Sequence, residues 1–365
     1  MTHGNKSSLE YFETNIPVYR EIYNTIVRLR KQKPDESFIK HNLLSLNNKL
    51  ISLFSSLDYP GWSDNVLSRL IKINETEPID LILSSYAPVD AHIAAFNFKL
   101  QNSNVKWIAD MRDEMSRNRF LPSKAKRKLA KWEQHFLPEM DALTTVSEPI
   151  LVDFDNILGD NSILFREIRN GFDHDMPMSE TFNSNFTMLY SGTFYSAIKP
   201  DTLFHALVEL HRNELLGPNW VLKLLGTHRN FSLPQQIAKH IEILPPVSNR
   251  EAVEQMMHSD CNVFIHPPMG TLGVYSGKLF EYLSTGKPVL ALVDTEDVAA
   301  KLISEMKAGE VVPFHDIQAI QEAILRIYGN WKNMILPEIN EEKRSSLHRR
   351  KQVKVLEELI DELLQ

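Results

Sequence analysis

From Asp58 onward, short apolar runs alternate with segments whose apolar residues recur every three or four positions. Runs of the first kind read as buried strands and segments of the second as amphipathic helices. Their alternation predicts parallel sheets with crossover helices. In chain order the pattern predicts a helix over Asp64–Ile73, a strand over Ile79–Ser84 and a helix through His92 to Leu100. The strand Val105–Ala109, the basic helix Ser123–His135 and the strand Asp141–Val146 with a helix after it follow, and Ile163–Arg169 leads into Asn170-Gly171. A polar linker, Asp173–Asn185, then introduces a second series, with strand Phe186–Ser191, helix Asp201–Arg212 and strands Trp220–Leu225 and Ile241–Leu244. The loop Val247–Arg250 opens a helix to Ser259. The strand Val263–Ile265, a short helix Gly277–Thr285 and the strand Val289–Val293 come next. The pattern closes with helix Asp297–Met306, a turn at Ala308–Glu310, a strand at Val311–Val312 and helices Ile317–Tyr328 and Ser345–Leu364. Before Asp58 the reading differs: two polar-flanked helices, Tyr19–Lys31 and Ile39–Leu53, are broken at Lys33-Pro34-Asp35, and no opening apolar strand is evident.

One stretch combines this pattern with candidate chemistry. In Cys261–Val293 a buried strand ends at His266-Pro267-Pro268, and a loop punctuated by Gly270, Gly273 and Gly277 leads into the short helix. Ser276 is its expected N-cap, while Gly286 and Pro288 end it. A helix N-terminus at such a mouth offers unpaired N–H groups and a positive dipole end, which suit a phosphate or diphosphate. Lys278 adds a formal charge there, and Glu281, three residues on, shares its face and could accept from ribose hydroxyls. The same two residues would also satisfy an exposed i,i+3 ion pair. The glycine spacing is not the G-x-G-x-x-G of dinucleotide sites.

Composition narrows the class. The 365 residues are 43% hydrophobic and 24% charged, enough chain for two domains. A net charge of −7 argues against nucleic-acid binding by bulk electrostatics. The single cysteine, Cys261, heads an apolar strand and reads as a buried thiol in a reducing compartment. The amino-terminal stretch lacks the apolar core of a signal peptide, and no run is long enough to span a membrane, so the expected location is cytoplasmic. The basic helix Ser123–His135 suggests peripheral contact with the inner face of a membrane, although charge runs are usually solvated faces.

The segment G-V-Y-S-G-K-L-F-E-Y-L-S-T-G-K-P-V-L-A-L resembles the donor-site segment of the group 1 retaining nucleotide-sugar glycosyltransferases. Further pieces agree in order: ILSSYAPVDAHIAAF, WIADMRDEM, and Asn170-Gly171-Phe172-Asp173. The resemblance implies the GT-B fold, two Rossmann-like α/β domains facing across a cleft, here with an incomplete sheet in the first. The expected domains are 1–173, with 345–365 packing back on it, and 186–340. It further implies a nucleoside-diphosphate-sugar donor, a glycan or lipid-linked acceptor and retention of configuration, in surface polysaccharide or lipopolysaccharide assembly.

Carried over residue by residue, the resemblance assigns catalytic roles to His92, Arg112, Asp113, Lys199 and Lys278. It places Gly192, Thr193, Gly226, Thr227, Pro246, Gly273, Ser276, Gly277, Lys278 and Glu281 around the donor. Two departures stand out. Thr193 occupies the position of a usual arginine, and Gly273 that of a usual acidic residue eight positions before Glu281. No cofactor and no metal are expected, and Asp173-His174-Asp175 lies in a linker rather than after a strand, so it is not read as a metal motif. A sugar-nucleotide epimerase on the same fold remains an alternative. So does a degenerate subunit that binds a nucleotide sugar or a partner enzyme without turnover.

Overall fold

The computed structural model describes residues 61–159, 162–195, 197–228, 231–268, 270 and 272–365, together with Tyr59, Thr2–His3 and Arg20–Glu21. It divides into two units, Met1–Glu167 with Glu357–Gln365, and Ile168–Leu356.

In the first unit, β1 (Thr2–His3) and β2 (Arg20–Glu21) form a short parallel pair. Arg20 and Glu21 were expected to begin a helix, but Val18, Tyr19, Ile22 and Tyr23 around them are β-branched or aromatic and favour extended backbone. The rest of the expected helices Tyr19–Lys31 and Ile39–Leu53 lies outside the described residues. The main sheet is parallel, with strands β3 (Leu81–Ser85), β4 (Lys106–Met111), β5 (Ala142–Thr145) and β6 (Leu164–Glu167) in that spatial order. Helices α1 (Trp62–Thr76), α2 (Asp90–Gln101), α3 (Ser123–Phe136) and α4 (Glu148–Leu158) connect or precede them. Trp107, Ala109 and Met111 of β4 pack with Phe136, Leu143 and Ile150 into one core.

The second unit holds β7 (Phe186–Ser191), β8 (Trp220–Leu225), β9 (Ile241–Leu244), β10 (Cys261–His266), β11 (Val289–Val293) and β12 (Gly309–Pro313). All are parallel, in the order β12-β11-β10-β7-β8-β9. The helices are α5 (Asp201–Arg212), α6 (Asn249–Met257), α7 (Gly277–Ser284), α8 (Val298–Met306) and α9 (Ile317–Lys332). Both faces of the sheet are covered. Met188, Leu222, Val263 and Leu290 face a core with α5 and α9, whereas Leu189, Phe264, Val289 and Ala291 face one with α7 and α8. That two-sided burial is why these strands read as continuous apolar runs. Cys261 is 1% exposed, and burial pushes its thiol pKa well up.

Three sequence expectations need correction. Gly309 and Glu310, expected in a turn, belong to β12, because pairing with the buried β11 extends from Val289↔Gly309 to Val293↔Pro313. The single helix expected over Ser345–Leu364 is two, α10 (Glu341–Ser346) and α11 (Arg349–Leu364). Between them Leu347 is buried and the Arg349 N–H donates to Phe172 O at 2.9 Å. The chain thus breaks where it docks on Gly171-Phe172. Finally, the Asp173–Asn185 segment is tied to the second unit rather than lying between units as a free linker. Ser179 N donates to Thr285 O (2.9 Å), Asn183 N donates to Asp260 Oδ1 (3.0 Å), and Lys287 Nζ donates to Thr181 O. The two compact units adjoin in sequence at Glu167/Ile168, and Glu357–Gln365 group with the first.

Candidate functional site

The sheet of the second unit reverses its winding between β7 and β10: chain order runs outward through β8 and β9 on one side and through β11 and β12 on the other. In open α/β sheets ligands bind at the carboxyl ends of the strands flanking such a reversal. Gly192 follows β7 there and His266 ends β10.

Helix α7 reaches across this point through two side chains four residues apart. Lys278 Nζ lies 3.3 Å from Tyr190 Oη and 4.5 Å above the Tyr190 ring. Tyr282 Oη accepts from Ser191 N at 2.8 Å. Gly192 makes the approach possible: it has φ +116°, and a Cβ there would sit 2.8 Å from Lys278 Nζ. Burial lowers the Lys278 pKa to about 8, with the nearby Glu281 carboxylate opposing the shift. The mouth therefore holds a partly buried ammonium. Among the described residues it faces phenol and backbone rather than a paired carboxylate.

Ser276 occupies the N-cap position of α7, as expected, but its side chain makes no capping hydrogen bond. The first-turn N–H groups of α7 are thus not consumed by a side-chain cap. By contrast, Ser248 and Glu251 close a full capping box on the neighbouring α6.

The other donor-side residues cluster by hydrogen bonds. Thr227 Oγ1 donates to Gly192 O (2.7 Å), Thr193 Oγ1 to Gly226 O (3.4 Å), and Gly226 N to Leu244 O (3.0 Å). Pro246 lies beside Gly226, its Cα 3.8 Å from where a Cβ would stand. These contacts join the ends of β7, β8 and β9. Glu281 is held from α6 by Asn249 Nδ2 at 2.7 Å. Gly273 N donates to Asp297 Oδ1 at 2.9 Å. Lys199 stands exposed immediately before Pro200 and α5.

In the first unit the carboxyl ends of β3, β4 and β5 carry a polar group. Asp110 accepts from Ser85 Oγ (2.8 Å) and Thr144 Oγ1 (2.9 Å), and Arg112 Nη1 lies 3.5 Å from its Oδ1. Asp110, at the end of β4 two residues before Arg112, thus sets the guanidinium at the carboxyl edge of the sheet. Burial raises the Asp113 pKa, and the Arg112 charge opposes that rise.

His92 is fully buried, packed against the rings of Tyr86, Trp107 and Phe136. Trp107 Nε1 donates to Ser84 Oγ (2.8 Å), and Ser84 Oγ lies 2.7 Å from His92 Nδ1. With the serine hydroxyl hydrogen turned to Nδ1, the imidazole carries its proton on Nε2, which has no partner among the described residues. Burial holds its pKa down to about 3, so the ring is neutral. Its surroundings are those of a core residue rather than an accessible one.

The sequence pattern passed over Tyr190, Tyr282, Asn249, His266 and Asp297. The Lys278/Tyr282 spacing on one helical face was a usable signal, as was an imidazole at the end of a buried strand; Asn249 and Asp297 gave none.

Asp173 and Asp175 lie against cations: Asp173 Oδ2 is 2.7 Å from Arg349 Nη1, and Asp175 pairs with His348 (3.3 Å) and Arg350 (3.4 Å). The exposed face of α3 carries Lys124, Arg127 and Lys131, while Glu133 is buried and accepts from Ser116 N at 2.9 Å. Among the described residues no helix is long and apolar enough to cross a membrane.

Comparisons with known proteins agree with this architecture. The structure is similar to that of a glycosyltransferase from Rickettsia africae (TM-score 0.60, 15% identity, 87% of this chain and 88% of that one). It is also similar to TarM (0.59, 15%, 83% and 58%) and to the apo form of the lipopolysaccharide outer core galactosyltransferase WaaB (0.55, 12%, 82% and 80%). The chain spans less than two thirds of the length of TarM and of the matched chain of the GtfA/B complex (62%). A search of curated proteins found no match to the sequence. The fold is α/β of the GT-B kind, with two Rossmann-like units. The family model of glycosyl transferases group 1 matches residues 173–359, just over half of the chain and nearly all of the second unit, and the protein belongs to that family.

Proposed function

We propose that the protein transfers a sugar from a nucleoside-diphosphate sugar to an acceptor hydroxyl with retention, in the assembly of a surface polysaccharide or lipopolysaccharide. The observation that carries this is the partly buried Lys278 ammonium at the switch point of the second sheet, beside an α7 N-terminus whose N-cap residue, Ser276, makes no side-chain cap. A departing diphosphate needs preorganised positive charge and N–H donors, and these groups supply both without further rearrangement. Gly192, Thr193, Gly226, Thr227 and Pro246 form the backbone-rich wall for the nucleoside, and Glu281, oriented by Asn249, takes the ribose hydroxyls. Lys199, exposed just before α5, adds a second cation near the diphosphate. Arg112 and Asp113 serve the acceptor, while the buried His92 packs the wall of the first unit.

No step requires a metal. The carboxylates of the D-x-D sequence are already engaged by Arg349, Arg350 and His348. The exposed Lys124, Arg127 and Lys131 of α3 suit an anionic lipid surface, which would bring a lipid-linked acceptor within reach; sedimentation with anionic vesicles measures that contact.

The functional test is turnover of a panel of UDP- and GDP-sugars, with and without acceptors, by the wild type and Glu281→Ala. Transfer with a retained anomer, reduced by roughly 10²-fold in Glu281→Ala, is expected. Binding without turnover would instead assign a nucleotide-sugar-binding subunit, the reading favoured by the departures at Thr193 and Gly273. Absence of both would overturn the donor-site reading.

A further inference from the structure

Gly273 leaves the donor loop without a side chain where the family pattern has an acid, yet the structure places a carboxylate at that loop from another element. Asp297, the N-cap of α8, is 3% exposed. Its Oδ1 accepts from Val298 N (2.7 Å) and from Gly273 N (2.9 Å), which has φ +106°. Its Oδ2 lies 4.0 Å from His266 Nε2.

His266 is itself unusual. It ends β10 at the switch point and is 9% exposed, its ring stacked on Phe264 (5.9 Å between centroids, 8° between planes). Among the described residues neither ring nitrogen has a hydrogen-bond partner. An imidazole whose ring nitrogens have no such partner, at the carboxyl end of a strand beside the switch point, is placed to meet a ligand. Burial and the Lys278 charge lower its pKa against the pull of Asp297. A carboxylate facing Nε2 favours the tautomer with its proton there, leaving Nδ1 as an acceptor for a hydroxyl.

We propose that His266 contacts the donor sugar and that Asp297 is its positioning residue, together replacing the acidic side chain absent at Gly273 and setting which sugar is accepted. This inference rests on the donor-site reading. In it, the diphosphate is held by α7 and Lys278, while sugar hydroxyls are read by the His266–Asp297 pair.

The test uses the full chain and two near-isosteric variants, His266→Gln and Asp297→Asn, with His266→Ala as the deletion. Dissociation constants are measured by calorimetry for UDP and GDP and for their glucose, N-acetylglucosamine and mannose derivatives. Asp297→Asn keeps an oxygen for Gly273 N and Val298 N but replaces the carboxylate facing the imidazole, so a mere loop tether predicts no change. The expected result is a nucleoside-diphosphate affinity within about twofold of wild type in His266→Ala and Asp297→Asn. Affinity for the preferred nucleotide sugar falls about tenfold or more in both, with partial recovery in His266→Gln. Wild-type discrimination in both variants would overturn the assignment, as would equal loss of nucleotide and nucleotide sugar. If the wild type bound no nucleoside diphosphate, the donor-site reading itself would fall, and this inference with it.

Discussion

Lys278→Ala is expected to lose most of the stabilisation that UDP or GDP confers on the wild type and to cut transfer by roughly 10²–10³-fold. The ammonium is inside the mouth of the site, directly above the bare backbone of Gly192. In the wild type, nucleotide at roughly 100 times its Kd should contribute about 2.7 kcal/mol, a rise in Tm of roughly 5–10 °C for a unit of this size. Lys278→Met, which keeps the packing against Tyr190, should behave like the alanine variant if charge is what matters. The pH dependence has a definite sign. Free Lys278 titrates near 8, and a bound diphosphate favours the charged form. Nucleotide affinity is therefore constant below that pH, falls as pH rises through about 8, and binding takes up a proton on the alkaline side. An unchanged nucleotide-dependent Tm shift in Lys278→Ala would remove this residue from the site.

The second large effect is structural. Gly171→Ala is expected to destabilise the second unit by about 3 kcal/mol, the upper end for overpacking, because the added Cβ would meet rigid backbone. It would stand 2.1 Å from Leu347 O, 3.2 Å from Leu347 C and 3.3 Å from Arg349 N. Those atoms belong to the crossing where Arg349 N donates to Phe172 O and Arg349 Nε to Gly171 O (3.0 Å). The side chain of Arg344 lies over the Phe172 ring at 5.7 Å, so the glycine–phenylalanine pair anchors α10 as well as α11. At 2–4 °C per kcal/mol the Tm should fall by roughly 6–12 °C. A melting curve within about 2 °C of wild type would show that the crossing relaxes without cost. Asn170-Gly171-Phe172-Asp173 is on this account a docking point for the carboxy-terminal chain first and a family marker second.

Much of the second unit was legible because both faces of its sheet are buried. Phe186–Ser191, Trp220–Leu225 and Val289–Val293 fall where the apolar runs put them; Ile241–Leu244 does too, although as an edge strand it is only partly buried. Lys278 and Glu281 were readable for a different reason: residues three apart on one helix share a face, and that relation is local. Nothing local announces Asp297, which reaches Gly273 from 24 positions further along the chain. Nor does local pattern say that Ser276 leaves the α7 N-terminus uncapped, that Asp173 and Asp175 meet arginines near the carboxy terminus, or that His92 is wrapped by Tyr86, Trp107 and Phe136. The break between α10 and α11 was hidden for the same reason. Leu347 and His348 fit a continuing helix by composition, and only their pairing with Gly171 and Phe172 stops it.

The most direct measurement is a crystal structure of the protein grown with UDP or GDP. The account predicts the diphosphate within hydrogen-bond distance of the Gly277 and Lys278 backbone N–H groups, with Lys278 Nζ on a phosphate oxygen and Glu281 on the ribose. A nucleotide bound elsewhere, or at this mouth with its phosphates turned away from α7, would contradict it.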